Sequence, residues 1–256
     1  QLPDFDADFM LEALTKLVAL DQDWVPNAPG TSLYIRPVEF CTDIDLGLHN
    51  IGHAKMMIIL SPVGAYLAGG LRPVSILIED HDVRAVRGGT GYAKCGGNYA
   101  AANRAAAKAE QKGYDQVLWL DGVHQRYIEE VGGMNVMFKI DGKIVTPALT
   151  GSVLPGITRR SCIQLLKDKG YEVEERLFAV DELIKTLESG KLEEAWGCGT
   201  AAVISPIGKF CYQDKAYAIG EENGPTAQWL YDTLTGIQWG SIADPYGWVY
   251  PVPEKP

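Results

Sequence analysis

The sequence predicts an α+β fold of mixed strands and helices, not a regular doubly wound sheet, on three observations. Residues 135–140 and 143–146 are strand-like runs joined by Asp141-Gly142, a dipeptide that accepts the positive φ of a two-residue hairpin turn. Helical segments at 98–112, 159–169 and 180–189 fall between other strand-like runs. A charged stretch short of large apolar residues, 80–87, divides a chain of 256 residues, long enough for two domains. The expected division is a first α/β domain at 1–79, a linker at 80–88 and a large domain at 89–256.

In chain order, Leu11, Leu14 and Val18 mark an amphipathic helix over 9–20. No start methionine or signal pattern precedes it, the pattern of a chain that begins inside a domain. Strands follow at 32–40, at 55–60, where Pro62 and Gly64 end the run, and at 74–79. The Ala-rich helix comes next, then a buried strand at 116–120 and a short edge at 127–131 that leads into the hairpin. Leu154-Pro155-Gly156 forms a turn, Thr158 is placed to cap the helix 159–169, and Gly170 ends it. A strand at 171–177 and a helix at 180–189 precede strands at 202–206 and 209–219, separated by Gly208. The last helix spans about 226–237.

Composition removes several classes of function. A net charge of −10 argues against nucleic acid as a partner. The longest apolar runs, 56–60 and 201–207, have strand length and do not reach membrane length. Five widely spaced cysteines without a CxxC pair fit reduced thiols, not a disulfide scaffold or a zinc site. His49 and His53 are four apart, but Asn50 stands where a zinc-binding HExxH has its glutamate, and Gly52 weakens a helix there, so no metal is expected.

The chemistry centres on 88–107, GGTGYAKCGGNYAAANRAAA, where one lysine, Lys94, stands between glycine pairs. Glycines on both sides let the backbone bend closely around whatever the lysine holds. A phosphate loop does not fit, because Cys95 follows the lysine where a Ser or Thr is needed. A solvated loop lysine and a Schiff-base lysine both remain open. Glu129-Glu130 ahead of Gly132-Gly133 is either a solubilising edge charge or a buried anion that needs a cation. The turn at 154–159 gives a helix N-terminus suited to phosphate, or simply a capped helix. Gly197–Ala201 is a second glycine turn, in which Thr200 can donate its hydroxyl. A reactive lysine, a lone carboxylate and two anion-friendly turns together fit one ligand, pyridoxal phosphate.

The blocks SLYIRP (32–37), SPVGAY (61–66), KCGGNY (94–99), QVLWLDG (116–122), EVGGMN (130–135), LPGITRR (154–160), GCGTAAVISP (197–206) and ENGP (222–225) occur in an order that resembles the branched-chain amino acid aminotransferases. The resemblance runs across essentially the whole chain. It implies a two-domain, fold-type-IV pyridoxal 5'-phosphate enzyme like D-amino acid aminotransferase, with the first domain incomplete at its N-terminus. Lys94 is then the lysine that bonds the cofactor, and Tyr99 contacts the ring hydroxyl. By the same likeness Glu130 pairs with the pyridinium nitrogen, Leu154 lies against the ring, and Ile157, Thr158 and Thr200 hold the phosphate. Tyr34 and Arg36 match substrate-facing positions, and Thr200-Ala201 offers backbone to the substrate carboxylate. The family's phosphate-binding arginine corresponds to a position upstream of residue 1. Ala202 and Ser205 replace the redox CxxC of mammalian members, and Gly133 stands where some relatives have threonine. The activity so implied is transamination of leucine, isoleucine and valine with 2-oxoglutarate, by a cytoplasmic homodimer. A D-amino acid aminotransferase or aminodeoxychorismate lyase shares the fold, but the SLYIRP block argues against both. A non-catalytic binding module is the alternative from another class.

Overall fold

The computed structural model describes residues 2–64 and 71–255, so the Ala65-Tyr66 end of the SPVGAY block lies outside the described residues. The chain divides into two compact units, 1–68 with 244–256, and 69–243.

In the first unit, helix α1 (Ala7–Leu20) opens with the Asp6 carboxylate accepting the Phe9 N–H at 3.0 Å, a side-chain N-cap. Strands β1 (Ser32–Cys41) and β2 (Ala54–Val63) form an antiparallel ribbon in unbroken register, from Ser32 opposite Val63 to Cys41 opposite Ala54. Both strands run longer than the apolar runs alone predict.

The second unit is built on a nine-stranded sheet. Its strands are β3 (Val74–Glu79), β4 (Gln116–Leu120), β5 (Ile128–Val131), β6 (Asn135–Ile140), β7 (Lys143–Pro147), β8 (Val173–Arg176), β9 (Leu192–Gly199), β10 (Val203–Tyr212) and β11 (Lys215–Ala218). They lie in the order β5-β4-β3-β10-β9-β6-β7-β8, with β11 on β10. Pairs β3/β4, β3/β10 and β7/β8 are parallel and the others antiparallel, the mixed sheet of an α+β fold. The expected division set β3 in the first domain, whereas here it sits between β4 and β10 in the second unit. An apolar run marks a strand, and only distant partners decide which sheet it joins.

Gly208 does not separate two strands. It sits at a register shift between Ile207 and Lys209 inside one continuous β10. The first half of β10 pairs with β9 and its second half with β3 and β11, so β10 joins the two halves of the sheet.

Helix α2 (Gly96–Gln111) packs on β3 and β4, with Ala105 and Ala109, four residues apart and fully buried, against Leu77, Val117 and Trp119. The remaining helices are α3 (Ile157–Asp168), α4 (Val180–Glu188) and α5 (Pro225–Gln238). The first turn of α5 is capped from a different element. Glu194 on β9 accepts the Thr226 N–H (3.0 Å), the Ala227 N–H (3.0 Å) and the Thr226 hydroxyl (2.5 Å). A Cβ on Gly224 would lie 2.1 Å from the same carboxylate, so glycine is required at that N-cap. Glu194→Ala strips a buried helix end of its acceptors and is expected to cost about 2–3 kcal/mol in urea unfolding, the upper range for hydrogen bonds to a charge. No helix of the described residues is long and apolar enough to cross a membrane.

Candidate active site

Asn98, buried in the first turn of α2, ties down the loop that carries the lysine. Its Nδ2 donates to Thr90 O (2.7 Å) and Ala93 O (3.1 Å), and the Thr90 hydroxyl donates to Asn98 Oδ1 (2.7 Å). Gly91 has no space for a side chain, because a Cβ would meet Ser152 O at 2.3 Å. Held at both ends, the loop leaves the Lys94 side chain exposed, with Nζ donating to the Tyr99 hydroxyl and standing 4.6 Å from the Tyr99 ring centroid.

Glu130 approaches the same amine from the sheet. Strand β5 is buried along its whole length, and Glu129 and Glu130 alternate across it. Glu130 is the buried anion, not the edge charge. Its Oε1 accepts the Leu154 N–H at 2.7 Å and lies 3.3 Å from Arg84 Nη2. Burial is the largest influence on this carboxyl and pushes it up to about 7, against the opposing pull of Arg84, the Leu154 N–H and Lys94. Burial also raises Glu129, whose Oε1 accepts from the Ser152 hydroxyl.

Gly132 and Gly133 make the tight turn from β5 to β6, with Val131 and Met134 exchanging both backbone bonds at 2.9 Å. Gly132 takes φ +54°, and a Cβ there would meet Gln116 Oε1 at 2.3 Å. Gly133 faces Tyr99, whose ring edge would be 3.7 Å from an added Cβ. Asn135 then reaches out from β6 to donate to Leu154 O (2.9 Å) while pairing with Cys198 on β9. Through these links Lys94, Tyr99, Glu130, Leu154 and the end of β9 gather at one end of the sheet.

Thr158 does not cap α3. Gly156 is the N-cap, and Thr158 lies within the first turn of a helix that starts at Ile157. No side chain caps this N-terminus, and Ile157 is exposed. Asn135 and Glu130 hold the 154–156 turn on the sheet side, which fixes the cap at the glycine. A Cβ on Gly156 would lie 2.2 Å from Asn135 Oδ1. Gly156→Ala therefore has to break the Asn135–Leu154 bond, with an expected cost of about 1–3 kcal/mol in urea unfolding. Thr200 and Ala201 occupy the turn between β9 and β10, closed by Gly199 opposite Val203. Val203 holds φ +56°, a costly conformation for a β-branched residue.

Tyr34 and Arg36 lie in the other unit, on β1, with the guanidinium carbon 4.9 Å from the Tyr34 ring centroid. Sequence reasoning missed Arg84. It falls in the charged stretch read as a linker, yet it is 7% exposed, donates to Ser152 O and pairs with Glu130.

An exposed amine bonded to a phenol, a buried carboxyl and an uncapped helix N-terminus make a site suited to a phosphorylated, cationic-ring ligand and to proton transfer. The chain matches the Amino-transferase class IV family over residues 2–210 and belongs to that family. Among characterised proteins it is 55% identical over 248 residues to branched-chain-amino-acid aminotransferase 2 of Bacillus subtilis (strain 168), covering 96% of this chain and 68% of that protein. It is 53% identical over 256 residues to a probable branched-chain-amino-acid aminotransferase of Staphylococcus epidermidis, covering 99% of this chain and 72% of the relative. Among solved structures, the Escherichia coli branched-chain amino acid aminotransferase superposes with a TM-score of 0.81 at 28% identity, covering 98% of this chain and 79% of that one. The T.th. branched-chain amino acid aminotransferase with pyridoxamine 5'-phosphate gives 0.80 at 29% identity, covering 99% and 78%. The α+β fold of a type-IV aminotransferase expected from the sequence is the fold found.

Proposed function

We propose that this chain transaminates L-leucine, L-isoleucine and L-valine with 2-oxoglutarate, giving branched 2-oxo acids and glutamate, with pyridoxal 5'-phosphate as cofactor. The observation that carries it is the meeting of Lys94, Tyr99 and Glu130 beside the uncapped start of α3. The choice of branched substrates rests on the relatives' names.

The residues present fit the cofactor. Glu130 is buried and carries a raised pKa, so a protonated ring nitrogen is the cation that would hold it ionised. Ile157 and Thr158 offer backbone N–H groups at a positive helix end, and Thr200 a hydroxyl, to a phosphate. Leu154 supplies an apolar wall, and Tyr99 a phenol next to the reactive amine. Bound there, pyridoxal phosphate supplies an aldehyde carbon and an electron-withdrawing ring.

The chain's own residues do the rest. Lys94 Nζ would hold the cofactor and, as the amine nearest the reacting carbon, would serve as the base that takes the substrate Cα proton and the acid that gives it back. Tyr99 orients that amine through its hydroxyl. Glu130 keeps a proton on the ring nitrogen, with Arg84 and the Leu154 N–H fixing the carboxylate. Tyr34 and Arg36 face the substrate on this reading, and the Thr200-Ala201 backbone meets its carboxylate. The unit 69–243 acts as the cofactor-carrying part, and its 80–88 segment contributes Arg84. A homodimer fits Ile44, Leu46 and Leu48, three fully exposed aliphatics in the β1–β2 loop that call for an apolar partner. A cytoplasmic location fits the unpaired cysteines.

Racemic leucine with 2-oxoglutarate tests the reading. The L form should be consumed with stoichiometric glutamate while the D form remains. Consumption of D-leucine, or no glutamate from leucine, isoleucine or valine, would overturn it.

A further inference from the structure

The loop from β1 to β2 folds back on one side chain. Asp43 accepts the backbone N–H groups of Gly52 (2.6 Å) and His53 (2.8 Å), and His53 Nδ1 lies 2.9 Å from its Oδ1. At Oδ2, the oxygen that accepts the Gly52 N–H, Cys41 Sγ is 3.5 Å away and His49 Nε2 is 3.3 Å away. The sulfur, a carboxylate oxygen and a ring nitrogen of His49 all lie within 4.8 Å of one another. His49 Nδ1 is 3.0 Å from Gly47 O. A carbonyl only accepts, so this contact puts a proton on Nδ1 and leaves Nε2 as the ring nitrogen that faces the carboxylate.

The geometry points to a divalent transition-metal site of the zinc class, formed by Cys41 Sγ, Asp43 Oδ2 and His49 Nε2. A tetrahedral ion with zinc's bond lengths sets a sulfur–oxygen edge of about 3.6 Å and a nitrogen–oxygen edge of about 3.4 Å. The edges found are 3.5 Å and 3.3 Å. A sulfur, nitrogen and oxygen donor set selects zinc or cobalt over calcium and magnesium, which take oxygen. The thiolate and the carboxylate balance the two charges of the ion. Both oriented ligands have outer support: Gly47 O fixes the imidazole, and His53 with two backbone donors fixes the carboxylate. On binding, the S–H bond of Cys41 breaks, the sulfur pair bonds the metal, and the proton passes to solvent. A fourth position is left for water. The ion closes the neck of a loop whose Ile44, Leu46 and Leu48 are fully exposed. Histidine spacing did not suggest this site because its geometry is that of a hairpin, not a helix: β-pairing of Cys41 with Ala54 sets both ends of the loop side by side.

Cobalt(II) is the probe, added to the chelator-washed full chain and read in the visible ligand-field bands, at lower energy than an organic cofactor absorbs. One equivalent should give bands of four-coordinate intensity with one proton released per chain. Cys41→Ser and His49→Gln should abolish them, Cys95→Ser should keep them, and His53→Gln should weaken binding at least about tenfold. Zinc, with a filled d shell, should displace the cobalt and remove the bands. No ligand-field bands in the wild-type chain, or bands that persist in Cys41→Ser, would overturn the proposal. Cys41 is exposed at a strand end, and circular dichroism of the variants separates a lost ligand from a lost fold.

Discussion

Lys94→Ala is expected to lower glutamate formation from leucine by about 10²- to 10⁴-fold, the contribution of a positioned proton-transfer group. The same substitution should leave stability within about 0.5 kcal/mol, since the side chain is exposed and makes one side-chain bond, to Tyr99. The two readouts together separate chemistry from folding. Part of the lost rate should return on adding a small primary amine, which can take the place of the missing base. Turnover at wild-type rate in Lys94→Ala would end the assignment of this residue.

Arg84→Met is expected to destabilise the second unit by about 3–5 kcal/mol, because it leaves the Glu130 carboxylate buried without its cation. The effect should depend on pH, and its sign follows from burial. In the fold, Glu130 is raised from 4.5 to about 7. The native state therefore holds a proton that the unfolded chain gives up more readily. Stability from this group is complete below pH 4.5 and is lost as pH rises through about 7, a change of about 3 kcal/mol. Glu130→Gln removes this component, so urea midpoints measured across that window should change less with pH than in the wild-type chain. Glu129 shifts in the same direction and leaves a residual slope. An unchanged slope in Glu130→Gln would refute the account. Cofactor bound at a protonated ring nitrogen should lower the Glu130 pKa and flatten the wild-type slope.

Much of the architecture was legible because its signals are local. Asp141-Gly142 marks the β6–β7 turn, and the alanines of 98–112 mark α2, which begins two residues earlier, at Gly96. Glycines flanking Lys94 imply a backbone held close to something, and Gly91 pressed against Ser152 is the physical counterpart. What stayed hidden depends on distant partners. Arg84 reads as one more charge in a polar run, and only Ser152, 68 residues later, and Glu130 reveal it as buried. Thr158 has the side chain of a good cap, but Asn135 and Glu130 fix the preceding turn so that Gly156 takes the position. Glu194 looks like half of an exposed acidic pair until α5 packs its first turn against it. Strand β3 reads as a strand from its apolar run, while its place between β4 and β10 depends on residues 40 and more than 130 positions away.

The division of the large sheet at β10 bears on what the cofactor does for the fold. Lys94, Tyr99 and Glu130 belong to the half that carries β3, β4 and β5, and Ile157, Thr158 and Thr200 to the half that carries β9, β6, β7 and β8. On the reading proposed above, a ligand with its ring on the first set and its phosphate on the second is a cross-brace. Its binding energy opposes any separation of the two halves, and amide exchange should slow in both when it is bound. A chain holding the brace should unfold as one cooperative body, and a chain without it should begin to open along β10.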